Sequence, residues 1–538
     1  MTNKDDKQKR LLIAMVLAFA FFIAFDYFYI QPQVIADKTD KQSTKQDTTT
    51  NNKAPQTSSK IESATNTAPK EQTIKQEDIV STIQTKNNEI KIDKLGRIAK
   101  LKLKQSQYID EDGKAIQLFN IDSLKPLEIR FSDRSINEEA FKVDVVASSS
   151  DIDATTNSKI LTLTQTLSKT TIVKKITFYP DGHYDIDISS TTPTDYFVTT
   201  GFRPDILVDM YADHGVLLKM NDETLTIVED EDLDNTQTYE GVKFASAFDR
   251  YYATILYNFK DSLKLSLMPD KENNPQIFIH IKDKIFLSGY MGPKEYNTLK
   301  ALDDSLTDVI EYGWFTFIAK PMFLLLKYFF GFIGNWGWTI VLVTILIKLV
   351  LYPLAYKGMV SMNRLKEFAP KIKEIQEKYK DDKQKSGAKM MEFYKKEGVN
   401  PMGGCFPILL QIPVFFAIYR VLLNAIELKG SPWILWIDDL SLMDPWFVLP
   451  ILMGATMYIQ QKITPNQIQD EMQKKLFQFL PVIFTFFFLW FPAGLTLYWF
   501  INNLFTIGQQ YYINKLFEKN KLLRHEEHLS HKLNKDKK

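Results

Sequence analysis

The stretch at residues 336–353, WGWTIVLVTILIKLVLYP, decides the fold class because it has the composition of a membrane-spanning helix. Such a helix needs about 20 mostly apolar residues to cross a hydrocarbon layer of ~30 Å. Residues 338–352 contain ten Ile, Leu or Val residues, which together favour insertion by about 3–6 kcal/mol. The sequence therefore predicts a transmembrane helix over residues 336–357. It is called transmembrane helix 2, because another apolar segment precedes it near the N-terminus.

Lys348 lies near the middle of this stretch and opposes its insertion by roughly 2.5–3.5 kcal/mol. One alternative is that its side chain extends along the helix to reach the membrane surface. That surface is about 15 Å away at the rise of an α-helix, which makes the extended position strained. A charge inside a span is by default a functional-site hypothesis. We therefore interpret Lys348 as facing a water-filled cavity.

The overall composition excludes some classes of protein. The 538-residue chain is 45% hydrophobic with a formal net charge of +1, which gives no reason to expect a specific nucleic acid partner. Its one cysteine, Cys405, excludes an intrachain disulfide. Any folded domain outside the membrane must therefore be stabilised by its own core.

The N-terminus contains a second apolar run. Basic residues from Lys4 to Arg10 precede an apolar segment at residues 11–30. A cleaved signal peptide is the alternative, but the run is longer than usual and no small-residue cleavage site follows closely. We predict a cytoplasmic stub and first transmembrane helix over residues 1–30. The polar composition of residues 31–80 then predicts a disordered linker.

Residues 81–313 are predicted to form a large, mostly antiparallel β-sandwich. Eight segments alternate between apolar and polar residues, and turn residues such as Pro180-Asp181-Gly182 separate them. The acidic run at 229–234, EDEDLD, is interpreted as a solvated loop, since it lacks the spacing and glycine of a calcium loop. The alternating segments are residues 89–93, 101–104, 127–132, 141–146, 160–167, 171–179, 184–189 and 276–282.

The remaining chain alternates between apolar and charged blocks. Residues 357–397 carry twelve Lys or Arg against seven Asp or Glu, with apolar residues at three- and four-residue spacing. This pattern predicts a helical hairpin whose turn is Asp381-Asp382 and whose second helix ends at Gly398.

Residues 476–512 are too long for one span, and Phe491-Pro492-Ala493-Gly494 divides them into two. The predicted segments are an interfacial amphipathic helix at 314–335, the cytoplasmic hairpin at 358–405, transmembrane helix 3 at 406–427, a periplasmic loop at 428–445, transmembrane helix 4 at 446–462, a cytoplasmic loop at 463–475, transmembrane helices 5 and 6 at 476–512, and a basic cytoplasmic tail at 513–538.

Topology favours six spans. With the N-terminus inside, the β domain lies outside, and both the basic hairpin and the basic tail lie inside, as the positive-inside rule requires. A seventh span at residues 314–335 would move the hairpin outside, so that helix is placed in the outer interface. Seven of the eight tryptophans fall at the predicted outer ends of spans, as in an aromatic belt.

Two polar stripes are predicted inside the membrane. Val341, Thr344, Lys348 and Tyr352 recur at helical spacing on the second span. The final span carries the second stripe, and the third span adds Gln411. Hydrogen bonding between helices by amides and hydroxyls is the simpler alternative, but together with Lys348 the stripes indicate a wet groove. The second stripe includes Trp499, Asn502, Asn503 and Thr506.

Enzyme chemistry is not predicted. All six histidines lie outside the predicted spans, and no paired carboxylates are available for an acid–base mechanism there. The chain has no phosphate-binding glycine loop. The histidines near the C-terminus, at three-residue spacing, form a poor chelating face. We therefore expect no catalytic residues, no metal site and no cofactor.

Four stretches closely resemble the YidC/Oxa/Alb family of membrane protein insertases. They are NWGWTIVLVTILIKLVLYPL, VNPMGGCFPILLQIPVFFAIY, LPILMGATMYIQQK and MQKKLFQFLPVIFTFFFLWFPAGLTLYW. The specific resemblance covers residues 290–512, and the β domain with six spans looks like the Gram-negative form. The resemblance implies a bacterial inner-membrane protein with cytoplasmic termini, a large periplasmic β-supersandwich and a five-helix insertase core around a hydrophilic groove.

The resemblance also implies roles for individual residues. The groove's central charge is usually arginine in the family, and Lys348 occupies the matching position. Thr344 matches a groove hydroxyl, and its aromatic partner is expected to be Trp499, with Tyr498 adjacent. The hairpin matches a family element that receives substrates or partners. The expected partners are nascent membrane proteins, the Sec translocon with its accessory subunits, the ribosome through the hairpin and basic tail, and the lipid bilayer.

Two other functions compete with insertion. A solute or ion transporter also uses intramembrane charges, but the sequence lacks the internal repeats common in transporters. A scaffold would bind partners through the β domain and use its helices only as anchors. Insertion or chaperoning of nascent membrane proteins, alone or with the Sec translocon, remains the preferred hypothesis.

Overall fold

The computed structural model describes residues 78–110, 113–119, 123–206, 213–380, 382–398, 406–464 and 471–535. The chain divides into two compact units, Met1–Ile310 and Glu311–Lys538. The predicted span at 11–30, nearly all of the predicted linker and Cys405 lie outside the described residues. The linker prediction is two residues too long, because the first strand begins at Ile79.

The first unit is built from strands in two sheets. One sheet has four strands, in the spatial order Ile98–Leu103, Asn88–Asp93, Ile79–Gln84 and Asp151–Asp153, and the other has thirteen. Pairing is antiparallel except between Ile79–Gln84 and Asp151–Asp153, which run parallel. The strands are β1 Ile79–Gln84, β2 Asn88–Asp93, β3 Ile98–Leu103, β4 Ile129–Phe131, β5 Val146–Ala147, β6 Asp151–Asp153, β7 Lys159–Thr166, β8 Thr171–Phe178, β9 Tyr184–Ser190, β10 Asp195–Thr199, β11 Gly215–Met220, β12 Leu225–Glu229, β13 Gln237–Phe248, β14 Tyr252–Tyr257, β15 Leu263–Pro269, β16 Pro275–Lys282 and β17 Lys284–Pro293.

One predicted strand is wrong. Residues 141–146 follow a short helix, α1 (Arg134–Ala140), and Phe141 is its C-terminal cap. The side chain of Asp133 caps the other end by accepting from the backbone amides of Ser135 and Ile136. Because this cap stabilises a helical turn, the alternating pattern that follows does not become a strand until Val146.

The acidic run at 229–234 is not wholly solvated. Asp230 is buried and accepts hydrogen bonds from Arg203 and from the ring of His214. Leu233 is fully buried. The run is therefore anchored to the core at two positions, which net charge alone does not reveal.

The second unit is helical. Its first helix follows α2 (Tyr296–Leu302) of the β unit and two short 3₁₀ turns, at Asp304–Val309 and Gly313–Phe315. Its helices are α3 Thr316–Ile333, α4 Trp336–Val350, α5 Tyr352–Glu367, α6 Ala369–Lys378, α7 Lys383–Lys396, α8 Phe406–Asn424, α9 Val448–Ile463, α10 Glu471–Phe488 and α11 Ala493–Lys535.

Helix length and hydropathy do not confirm the count of six spans. Within the described part of the chain, one helix is long and apolar enough to cross a membrane by itself, α3 at Thr316–Ile333. The bent pair α4 and α5 passes the same test if it is taken as one span. The sequence prediction instead placed 314–335 in the membrane interface, and that placement stays a prediction.

The predicted helix at 336–357 is broken. α4 ends at Val350, and α5 starts at Tyr352 after a bend of 63°. Pro353 lies in the first turn of α5, where proline is tolerated, whereas in one unbroken helix its ring would clash with the carbonyl four residues earlier. Lys348 therefore lies in the last turn of α4, and not near the middle of a long straight helix.

The charged block folds as helices with the predicted turn. The side chain of Asp382 caps α7 by accepting from the Lys385 amide, and Gly398 has a positive φ of 63° just beyond that helix. The rings of Phe368 and Phe393 meet edge-on at 5.5 Å across the hairpin. The first arm is interrupted at Phe368, because Pro370 starts α6.

The predicted basic tail is part of a helix. α11 continues through residue 512 to Lys535 and is 43 residues long. At ~1.5 Å per residue it extends for roughly 64 Å, about twice the thickness of the hydrocarbon layer. No Gly or Pro follows Gly508, and the Lys, Leu and Glu residues there favour helix over coil.

The β unit buries one lysine on the inner face of β8. Lys174 is 3% exposed, and its ammonium donates to the carbonyl oxygens of Gly96 and Leu127, each at 2.8 Å. Burial lowers the pKa of Lys174 to about 7. The side chain links the β2–β3 turn to the segment that precedes β4.

This lysine predicts how the stability of the β unit depends on pH. The unfolded chain holds the Lys174 proton up to a pKa of about 10.4, so above pH 7 it binds more protons than the folded chain. The free energy of unfolding of a 78–310 fragment should therefore rise between pH 7 and pH 10, by up to ~1.4 kcal/mol per unit. Lys174→Met should remove this rise in denaturant titrations. Equal pH dependence in both proteins would show that Lys174 stays charged when folded.

Candidate functional site

Lys348 is bonded to the last helix of the bundle. Its ammonium donates to Oγ1 of Thr506 at 2.9 Å. The Thr506 hydroxyl donates its own hydrogen to the Asn502 carbonyl at 2.7 Å. Because a hydroxyl has one hydrogen and two lone pairs, this bond leaves its lone pairs available to the ammonium. Among the described residues Thr506 is the hydrogen-bond partner of Lys348, and two of its three N–H groups remain available.

A second bond joins α8 to α11 beside the first. Nε2 of Gln411 donates to Oδ1 of Asn502 at 2.8 Å. Asn502 is 8% exposed, so the bond is shielded from competing water. Asn502 thus accepts two hydrogen bonds, one from the Thr506 hydroxyl at its backbone carbonyl and one from Gln411 at its side-chain oxygen.

Lys348, Gln411 and Asn502 line an open recess, whose empty space is about 500 Å³ when the part open to solvent is included. Lys348 is the charged residue among those that line it in the described structure, and no carboxylate is among them. Apolar residues supply most of the remaining wall. The lining consists of Thr344, Ile347, Lys348, Leu351, Leu354, Ala355, Gln411, Val414, Tyr498 and Asn502.

Thr344 and Lys348 lie on the same face of α4, four residues apart. The Thr344 hydroxyl donates to the carbonyl of Ile340 at 2.6 Å, which keeps its hydrogen within the helix. Its oxygen can therefore only accept from a group in the recess. The recess thus offers an acceptor at Thr344 and donors at Lys348.

The aromatic wall of the recess is Tyr498 and not Trp499. Tyr498 lines the recess, whereas Trp499 lies in an aromatic cluster, edge-on to Phe415 at 4.6 Å. Its ring also packs near Phe484 and Phe488. One residue along a helix changes direction by 100°, so the two neighbours cannot share a face. Trp499 therefore packs against aromatic rings of α8 and α10, and its pairing with Thr344 stays a prediction.

Asn503 does not line the recess either. It is 4% exposed, and its Nδ2 has no hydrogen-bond partner among the described residues. The predicted stripe on the last helix thus divides into two faces. Tyr498, Asn502 and Thr506 share the face toward Lys348 and the recess, while Trp499 packs between Phe415 of α8 and Phe484 of α10.

Sequence reasoning missed the contribution of α5. Leu354 and Ala355 reach the recess because the chain bends by 63° after α4. Pro353 was the signal that predicts this break.

Arg420 on α8 was also missed. It lies 4.0 Å from the Glu311 carboxylate, and Asn424 donates to the Glu311 carbonyl at 2.7 Å.

A loop covers one end of this bundle. The amides of Ala493 and Gly494, at the start of α11, donate to the carbonyls of Leu442 and Leu440. Asp444 is fully buried and accepts from the Trp446 and Leu449 amides. The N-terminus of α4 is held to the same loop, since Asn335 donates to the Pro432 and Trp433 carbonyls. Lys348 lies twelve residues, or about 18 Å, beyond that end of α4.

The outer faces of the helices are apolar. Large apolar side chains are exposed there to a degree that is unusual for a protein surrounded by water. Together with an open recess that contains a lysine, these faces define the class as a helical membrane protein with a charged group in a recess between its helices. Examples are Phe317, Tyr328, Phe332, Val350, Ile451, Phe479, Val482, Phe486 and Tyr511.

Known proteins identify the family. A family described as 60Kd inner membrane protein matches residues 328–521, and the YidC periplasmic domain matches residues 271–325. The chain is 50% identical over 521 residues to the membrane protein insertase YidC of Campylobacter jejuni, covering 96% of this chain and 98% of the relative. Identity is 47% to the YidC insertase of Wolinella succinogenes, with 96% and 97% covered. It is 45% to that of Helicobacter pylori, with 96% and 98% covered.

The chain therefore belongs to the YidC family of membrane protein insertases. Its family indicates the inner membrane, and the end of its β unit matches a periplasmic domain.

Proposed function

We propose that this chain inserts nascent membrane proteins by receiving a polar segment of the substrate in the recess beside Lys348. Membrane protein insertion is the activity of its curated relatives. The observation that supports the recess as the site is the position of Lys348, which is bonded to Thr506 and is the charged residue in the described wall of an open recess.

The recess lowers the cost of moving polar groups into the membrane. An amide or hydroxyl transferred to an apolar medium without a partner costs roughly 2–7 kcal/mol. Gln411, Asn502 and Tyr498 provide polar groups along the wall, and the two available N–H groups of Lys348 attract acidic or carbonyl oxygens. A substrate tail leaves water at a smaller net free-energy cost when these groups replace some of its hydrogen bonds to water.

The substrate's own apolar segment supplies the driving force. Transfer of an apolar helix into lipid is favourable by ~0.3–0.6 kcal/mol for each Leu, Ile, Val or Phe. The hydrophobic segment moves along α8 and α10 into the bilayer after its polar tail has entered the recess. No bond is made or broken in this step, so the proposal requires no catalytic residue, nucleotide or cofactor.

We place the membrane spans at residues 11–30, 336–357, 406–427, 446–462, 476–491 and 495–512. In this arrangement α3 lies in the outer interface, the β unit is periplasmic, and both termini and the hairpin formed by α6 and α7 are cytoplasmic. The twelve basic residues at 357–397 support this orientation. The hairpin and the basic end of α11 then form a cytoplasmic surface for the ribosome, and the Sec translocon is the proposed partner within the membrane.

Charge reversal tests the role of Lys348. Lys348→Glu should reduce the insertion of substrates with acidic tails at least tenfold in a proteoliposome assay, because repulsion replaces attraction. Lys348→Arg should retain most activity, since the charge is kept. Substrates with basic tails should be less affected by Lys348→Glu.

The matched control is Lys357→Glu, which changes an exposed lysine on the adjacent helix and should leave insertion unchanged. If Lys348→Glu inserts acidic-tailed substrates as well as the parent protein, the electrostatic role is wrong.

Cysteine labelling tests the orientation. In a Cys405→Ser background, Lys385→Cys on the hairpin should be protected from an impermeant maleimide in spheroplasts and react only after lysis. Lys159→Cys in the β unit should react in intact spheroplasts. Labelling of both before lysis would place α3 across the membrane and give seven spans.

A further inference from the structure

A second group of amides lies two turns beyond Thr506 on α11. Oδ1 of Asn514 accepts from Nδ2 of Asn363 on α5 at 2.8 Å and from Nε2 of Gln510 at 2.7 Å. Nδ2 of Asn514 donates to the carbonyl of Ile463, the last residue of α9, at 3.3 Å. One side chain therefore connects the C-terminal half of α5, the end of α9 and α11. We call Asn514, Asn363, Gln510 and Ile463 the amide clamp.

The clamp is partly shielded from water, with Asn514 and Ile463 half-buried. Gln510 is 2% exposed and Asn363 is 7% exposed. The neighbouring Ile513 is fully buried. Amide hydrogen bonds are directional and gain strength where water is excluded, so the clamp restrains the position of α5 and not only its distance from α11.

The first turn of α5 lines the recess. Leu354 and Ala355 belong to its wall, whereas Asn363 lies eight residues after Ala355, about 12 Å further along the same helix. Beyond the clamp, Lys521 on α11 lies 3.4 Å from the Glu367 carboxylate. The contacts of Asn363 and Glu367 therefore hold the C-terminal half of α5, and the position of that half determines where its first turn lies in the recess wall.

We propose that Asn514 is a positioning residue for insertion, because it fixes α5 through Asn363 and thereby sets the width of the recess beside Lys348. Asn514 contacts neither the recess nor Lys348. It acts by restraining the wall formed by Leu354 and Ala355. This inference rests on the proposed function of the recess, but its structural part can be measured without any substrate.

Labelling of a recess residue measures the position of α5 directly. The full-length protein with Cys405→Ser and Ala355→Cys is reconstituted and treated with a small charged methanethiosulfonate. Asn514→Leu, which keeps the branched shape of the side chain but loses three hydrogen bonds, should accelerate labelling at least threefold and reduce insertion at least fivefold. Asn514→Asp keeps the oxygen that accepts from Asn363 and Gln510 but loses the donor to the Ile463 carbonyl, so it should return both values at least halfway to those of the parent.

Two further variants separate positioning from general stability. Lys515→Ala changes an exposed neighbour on the same helix and should alter neither labelling nor insertion. Asn363→Ala removes one donor and should reproduce most of the Asn514→Leu effect, and combining both changes should add little because they break the same bond. If Asn514→Leu does not fold, Asn363→Ala alone provides the test.

Each outcome has a distinct meaning. Unchanged labelling in both Asn514→Leu and Asn363→Ala would overturn the clamp. Faster labelling with normal insertion would show that the clamp positions α5 but that insertion does not depend on it, which also overturns the proposal. Failure of the proposed function itself would appear separately, as normal insertion by Lys348→Glu.

Discussion

The helical unit is organised by the need to place a lysine ammonium inside an apolar bundle. An ion of this kind loses several kcal/mol of hydration when it is buried without partners. Here Thr506 supplies the direct hydrogen bond, and its hydroxyl is oriented by the Asn502 carbonyl. Gln411 then joins Asn502 from α8. The polar residues of three helices thus converge on one point, and the recess lies beside them.

A buried lysine in the β unit also needs hydrogen-bond partners, but there the backbone supplies them. Lys174 is buried on the inner face of β8, and two backbone carbonyls accept its hydrogen bonds. These bonds consume two of its three donors within the protein and connect separate parts of the chain. Lys348 has one hydrogen bond within the described structure and faces a cavity. The difference in donors that remain available separates a structural lysine from one that can bind a substrate.

The sequence predicted those features that depend on local pattern. Alternation of apolar and polar residues predicted strands such as β8 and β9, and a run of Ile, Leu and Val around Lys348 predicted α4. Asp382 and Gly398 predicted where a hairpin helix begins and ends. Helical spacing predicted that Thr344 and Lys348 share one face of α4, and both line the recess.

Features that depend on helix direction and tertiary contact were not predictable in the same way. Pro353 signalled a break, but the 63° bend that brings Leu354 and Ala355 into the recess wall is set by packing. Tyr498 and Trp499 are adjacent aromatics, and only the rotation of α11 decides which one faces Thr344. Capping by Asp133 overrode a strand-like pattern at 141–146. The extension of α11 to Lys535 was not predicted, because the basic composition after residue 512 was used only to assign a cytoplasmic tail.

The central claim is that a nascent chain passes through the recess beside Lys348, and site-specific photocrosslinking to a stalled nascent chain tests it most directly. A photoreactive residue at Thr344 or Asn502, which line the recess, should capture the polar tail of the substrate. The same residue at Val350, which is 70% exposed on the outside of α4, should capture lipid or the hydrophobic segment but not the tail. Crosslinks to the tail from Val350 and none from Thr344 or Asn502 would contradict the account.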